Sequence, residues 1–436
     1  MKQATWSPET FETFKTFTNM KRSIFLAALV LISAGCFAQK ANVNKARTLS
    51  EAETPDFAGA RAAIKEALQN DETKDQANTW YVAGYVGYKE FDATNLNRQM
   101  GRNFDVAQWG NAVYESLDYW KKAAEIALIP TYDKKGNPKY DKGTLNKIYP
   151  KLIEYFNLPV LLWAGSEAYN NGDYSLAYDM YIAYVNIPES DVVKQNAKAS
   201  SDFLLDTTYY QNLYYAGRFA YEAKRYSDAM AAFERMNTPT AKKNAHKNEV
   251  LSSNMYIYQI YIDQNDTTKA EEFLQQSISN FPEEPWFVQN LINLYINSGQ
   301  EEKAIETLDL AINREPNVGQ YYLTKGSILA AIMGNYEASF ACYDKAIELE
   351  PTNASFYHAY GIAYHDYATK IYNDAAYLDA KAFNVEKAKS DDAYKKALPY
   401  CEKAYEMEPD NYEYKRSLRT IYYRLGMNDK YEALAD

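Results

Sequence analysis

Turn formers are scarce in this chain, with 17 Gly and 14 Pro among 436 residues, where ordinary usage of the two together is about 12%. That scarcity excludes a turn-rich β architecture or a low-complexity chain and leaves a mostly helical protein. Cysteine is scarcer still, with three in all, too few for a disulfide framework. Basic residues are in deficit, 47 Lys and Arg against 58 Asp and Glu for a net charge of -11. No Lys/Arg block is present that could track a phosphate backbone, so nucleic acid is excluded as a partner. Beyond residue 38 no apolar run reaches the roughly 20 residues that span a bilayer. The sequence also lacks H-E-x-x-H, G-x-x-x-x-G-K, G-x-G-x-x-G, G-x-S-x-G and C-x-x-C, which argues against the common enzyme classes and gives no reason to expect a cofactor or metal.

Tyrosine is what the chain has in excess, 42 against 18 Phe. Its ring packs while its hydroxyl keeps a hydrogen-bonding role, which suits shared faces and grooves better than a dry core. Residues 20–38 read as a secretory signal. Met20-Lys21-Arg22 is the basic start, Ile24 to Ala34 the apolar stretch, and Ala38 the small residue at the cut. The mature chain is then expected to start at Gln39, periplasmic or secreted, with residues 1–19 as a start-site extension. The alternative is a cut at Cys36, since Ser33-Ala34-Gly35-Cys36 loosely resembles the lipobox of bacterial lipoproteins and would give an outer-membrane lipoprotein. Cys342 and Cys401 stand 59 residues apart and read as two small buried hydrophobes, although an oxidising compartment would permit their pairing.

Internal self-similarity is the strongest signal. Pro282 and Pro316 are 34 residues apart, Pro316 and Pro351 are 35, and Pro351 and Pro409 are 58, which is one period plus 24. Gly334-Asn335-Tyr336-Glu337-Ala338 is followed by Tyr343, Ala346 and Pro351. Ala304 and Ala311 precede Pro316, and Gly361, Tyr364, Ala397, Cys401 and Ala404 precede Pro409. More divergent versions carry Gly172, Ala177 and Tyr181; Arg225, Ala229 and Phe233; Ala270, Phe281 and Pro282; and Trp80, Gly84, Ser116, Trp120 and Ala123.

These residues resemble the tetratricopeptide repeat (TPR) family, of bacterial secreted or periplasmic type. The resemblance implies an all-α fold, an α-solenoid of antiparallel helix pairs forming a superhelix. It divides the chain into a divergent helical region at 39–190, a joint at 191–209, and a C-terminal array at 210–436. That array carries an insertion at about 368–391, where Ala, Lys, Asp and Tyr favour helical extension, and a capping helix within 411–436. Turn chemistry between Tyr132 and Tyr140 suggests a small hairpin or a solvated loop.

In the TPR family the first helix of each pair lines the ligand groove. Carried over by register, the groove positions here are Tyr169, Asn170, Tyr214, Arg218, Tyr221, Gln259, Gln289, Asn293, Asn297, His358 and His365, with Tyr81, Tyr85 and Tyr88 in the early unit. His358 and His365 are seven apart, about 10.5 Å along a helix, too far to chelate one ion, and Asp366 is placed to hold the His365 ring. Chaperone-binding members clamp a C-terminal carboxylate with Lys and Asn. The corresponding places hold Gln289 and Asn293, then His358 and Ile362, so the Lys is missing. The expectation is a non-catalytic scaffold of the cell envelope that holds a protein or peptide in its groove. A glycan-binding accessory protein, its sugars stacked on tyrosine, is the alternative.

Overall fold

The computed structural model describes residues 40–196 and 202–434; the expected signal at 20–38 and Cys36 lie outside them. The architecture is all-α apart from one two-stranded sheet. The chain divides into two compact units, up to Ile260 and from Tyr261.

In the first unit, α1 (40–51) and α2 (Phe57–Gln69) come first. The pair α3 (Ala77–Gln99) and α4 (Val106–Ala127) follows. A hairpin with β1 Thr131–Tyr132 antiparallel to β2 Pro138–Lys139, in the register Thr131 to Lys139, leads into α5 (Lys142–Asn157). Next come α6 (Val160–Asn170), α7 (Tyr174–Asn186) and the short α8 (Asp191–Lys194). The unit continues with α9 (Thr207–Glu222), α10 (Tyr226–Arg235) and α11 (Pro239–Asn244). Helix α12 (Lys247–Asp263) starts in this unit. The sequence did not pick out α1, whose buried stripe is Val43, Ala46 and Ser50.

The second unit holds α13 (Thr267–Asn280), then the pair α14 (Pro285–Asn297) and α15 (Glu301–Arg314). Helix α16 (Gly319–Ser327) runs into a π-helical turn at Ile328–Ile332 and pairs with α17 (Tyr336–Leu349). The long pair α18 (Ala354–Ala375) and α19 (Ala380–Met407) follows, and α20 (Tyr412–Arg424) and α21 (Asn428–Ala433) close the chain. The 24 extra residues at 368–391 lengthen both α18 and α19.

The common register is visible in the core. Each second helix carries a small residue with no solvent exposure: Ser116, Ala177, Ala229, Ala270, Ala304, Ser339 and Ala397. Four residues later each buries a larger one: Trp120, Tyr181, Phe233, Leu274, Leu308, Tyr343 and Cys401. In several pairs the first helix answers with a glycine where the backbones come close. A Cβ on Gly217 would lie 2.5 Å from the Phe233 ring, and one on Gly361 would lie 2.5 Å from Cys401 Sγ. A helix pair of this kind cannot bury its apolar face alone, so neighbouring pairs cover it.

The four prolines sit at equivalent corners. Phe281, Glu315, Glu350 and Glu408, each just before a proline, close α13, α15, α17 and α19 with φ between -129 and -135° and ψ between 63 and 74°. Each donates its N–H to the carbonyl four residues back, and the proline that follows cannot continue the helix.

Described residues on both sides of 197–201 are packed against the first unit. Val192, Val193 and Phe203 are buried, and the Phe203 ring meets Phe156 at 5.2 Å. The Tyr209 hydroxyl donates to the Val185 carbonyl at 2.9 Å. The division between the two compact units falls at 260/261, inside α12.

Candidate functional site

The sequence-derived groove positions fall into three environments. On α14, Gln289, Asn293 and Asn297 are all exposed and follow one another at i, i+4 and i+8. The opposite face of that helix buries Phe287, Leu291, Ile292 and Tyr295. Successive amides stand about 6 Å apart along the axis, close to the roughly 6.6 Å that separates same-face residues of an extended peptide. Each amide can then donate to and accept from one backbone group of such a chain.

The second environment is aromatic and surrounds Arg218 in the first unit. Tyr214 and Tyr221 lie on α9 with Arg218, Tyr169 comes from α6, and Tyr256 from α12. The Arg218 guanidinium stands 6.0 Å from the Tyr214 ring centre and 5.8 Å from that of Tyr215. Burial works against its charge, while Tyr256, Tyr214 and Tyr169 favour it, and the net effect is upward. Tyr256 also meets Tyr221 at 5.1 Å and Tyr214 at 6.4 Å. Tyr169 packs on Phe219 at 4.8 Å with part of its ring in solvent. Asn170 beside it is exposed, and Gln259 on α12 is half-buried.

The third environment is packing. His358 is half-buried, its Nε2 2.9 Å from Ser417 Oγ and its ring 4.6 Å from Tyr414, so it joins α18 to α20. Burial holds its pKa below the ordinary value. His365 Nδ1 lies 2.9 Å from Asp366 Oδ1, and its ring meets Tyr394 of α19 edge-on at 5.5 Å. The two histidines therefore serve the seams of the second unit more than an open face. Among the described residues no group of His, Cys, Asp and Glu could hold a metal ion. Tyr81, Tyr85 and Tyr88 stack along α3 but are covered. Lys147 and Lys151 of α5 lie over Tyr81 and Tyr88 at 5.4 and 4.7 Å, and Arg47 of α1 lies over Tyr85 at 5.8 Å. Cys342 and Cys401 are both free thiols; Cys401 is buried, and burial pushes its pKa up to about 12.

Two clefts on second helices escaped the sequence reading. One, of about 490 Å³, lies among α4, α5, α7 and residues 187–192, with Leu117, Ile148, Leu152 and Ile182 along its floor. Its α5 wall is an insertion without repeat register, so periodicity gave no pointer to it. The other, of about 710 Å³, lies among α13, α14 and α15 and is edged by the exposed Leu310.

Comparison with known proteins agrees with the register. The family described as tetratricopeptide repeat matches residues 261–328, and a second, TPR repeat, matches 326–366. A UDP-N-acetylglucosamine--peptide N-acetylglucosaminyltransferase of Giardia intestinalis is 27% identical over 184 residues, 38% of this chain. The matched region spans only 12% of that relative's length. Similar solved structures include a TPR repeats protein of Bacteroides fragilis, at 19% identity over 60% of this chain and 96% of that one, with a TM-score of 0.31. MamA from Desulfovibrio magneticus is 17% identical over 42% of this chain and 86% of its own, with a TM-score of 0.30. No described helix is long and apolar enough to cross a membrane.

Proposed function

We propose, from the premise that this is a TPR repeat protein, that the chain is a non-catalytic scaffold of the bacterial cell envelope. It holds a protein segment in extended form against its first helices. The observation that carries this reading is the stripe Gln289, Asn293 and Asn297, three exposed amides at peptide-like spacing on a helix whose other face is core. Among the described residues none of the three has a hydrogen-bonding partner, so all are available to a ligand. The envelope location rests on the signal-like segment 20–38, and an N-terminal Gln39 on the purified protein would support it.

The double variant Asn293→Ala/Asn297→Ala tests the binding face. Both side chains are exposed, so folding is retained. Each lost amide contact removes about 0.5–1.5 kcal/mol, so capture of partners from an envelope extract should weaken by about tenfold or more. Capture at the wild-type level would remove this face from the account.

A further inference from the structure

We infer that Arg218 and the tyrosines around it form, within the first unit, a subsite for a carboxylate group of a peptide ligand. This rests on the scaffold reading and adds to it the chemistry of one contact.

In a chain with more Asp and Glu than Lys and Arg, other partly buried arginines of the first unit have found carboxylates. Arg61 holds Glu115 at 2.6 Å, Arg225 holds Asp179 at 2.7 Å, and Arg235 holds Glu189 at 2.8 Å. Arg218 has none among the described residues. Its neighbours are the rings of Tyr214 and Tyr215 and the phenols of Tyr256 and Tyr169. Its Nε is buried and donates to nothing. A buried donor left unmet costs about 1–3 kcal/mol, and ring faces return only about 0.5–1 kcal/mol each at partly exposed sites. The guanidinium has a hydrogen bond to the Tyr256 phenol, so what the site lacks is an anionic acceptor.

The geometry narrows what that acceptor is. A guanidinium presents a planar fork that matches the two oxygens of a carboxylate. A phosphate dianion would keep an unbalanced charge beside a single cation, and a neutral amide oxygen would leave the cation unbalanced. The rings of Tyr214 and Tyr215 on α9 face the guanidinium and the phenols of Tyr256 and Tyr169 stand near it, so the residues next to the carboxylate meet aromatic surface. The carboxylate has two possible sources, an Asp or Glu side chain or a free C-terminus.

The test is an array of pentapeptides with randomised flanks, probed with the full chain. One set has a central Glu and an amidated end, the second a central Gln and an amidated end, and the third a central Gln and a free C-terminus. The wild-type chain should favour one of the carboxylate-bearing sets over the amidated Gln set by about tenfold. Arg218→Met should abolish that preference with its thermal midpoint nearly unchanged. Arg218→Lys, which keeps charge but loses the fork, should retain only part of it and serves if the Met variant does not fold. Preference for central Glu identifies a side-chain source, and preference for free ends a terminal one. Equal binding to all three sets, or a preference that survives Arg218→Met, overturns the subsite while leaving the scaffold reading intact. No binding of any set by the wild-type chain overturns both.

Discussion

At the scale of single residues, the tight turn inside several hairpins uses one left-handed residue. Gly172, Gly299 and Gly426 supply it at φ between 65 and 81°, but Lys224 and Asn265 occupy the same place at 59 and 57°. The hydrogen bonds are the same in all five: the residue after the left-handed one donates to the carbonyl five back, as Asp173 does to Ala168 and Arg225 to Ala220. A lysine there carries a Cβ clash that glycine avoids, about 1–2 kcal/mol, and glycine gives back part of that gain through unfolded-state entropy. Lys224→Gly should therefore raise stability by about 0.5–1 kcal/mol, read as a higher urea midpoint at unchanged slope. Asn265→Gly should gain less, because asparagine tolerates this conformation. A lower midpoint for Lys224→Gly would mean that the lysine side chain contributes more than its backbone costs.

At the scale of elements, the 35-residue step from Pro316 to Pro351 has a physical cause. The π turn at Ile328–Ile332 absorbs one extra residue. Asn335 consequently donates to Leu329, six residues back instead of five. The proline spacing revealed the extra residue but not its place, since no local composition marks a π turn. The helices of 251–410 were legible because glycine, alanine and proline recur there at fixed intervals. Helix α1 was not, because its stripe of Val43, Ala46 and Ser50 is short and ends on a polar residue.

The α18–α20 seam also carries a pH dependence. Burial lowers the His358 pKa in the folded state, so the unfolded chain takes up the proton first as pH falls. Stability is then lost as pH drops below about 6.5, the unfolded value. Between pH 7.5 and 5.5 the urea midpoint of the wild-type chain should fall further than that of His358→Gln. An equal fall in both would assign the dependence to other groups.

At the scale of the molecule, the candidate positions of the two units differ in how far the sequence exposes them. The amides of α14 were legible, because the proline register fixes which residues of a first helix face away from its partner. The isolation of Arg218 was not. Which arginines find a carboxylate is decided by contacts far apart in the chain, such as Arg225 with Asp179 and Arg61 with Glu115. The cleft among α13, α14 and α15 offers a different docking face, with Leu310 as its most exposed apolar point. Site-specific photo-crosslinking separates the two faces: a benzoylphenylalanine at position 293 on α14 or at position 310 on α15, irradiated in an envelope extract. The account predicts a discrete adduct from position 293 and none from position 310. An adduct from 310 with none from 293 would contradict it.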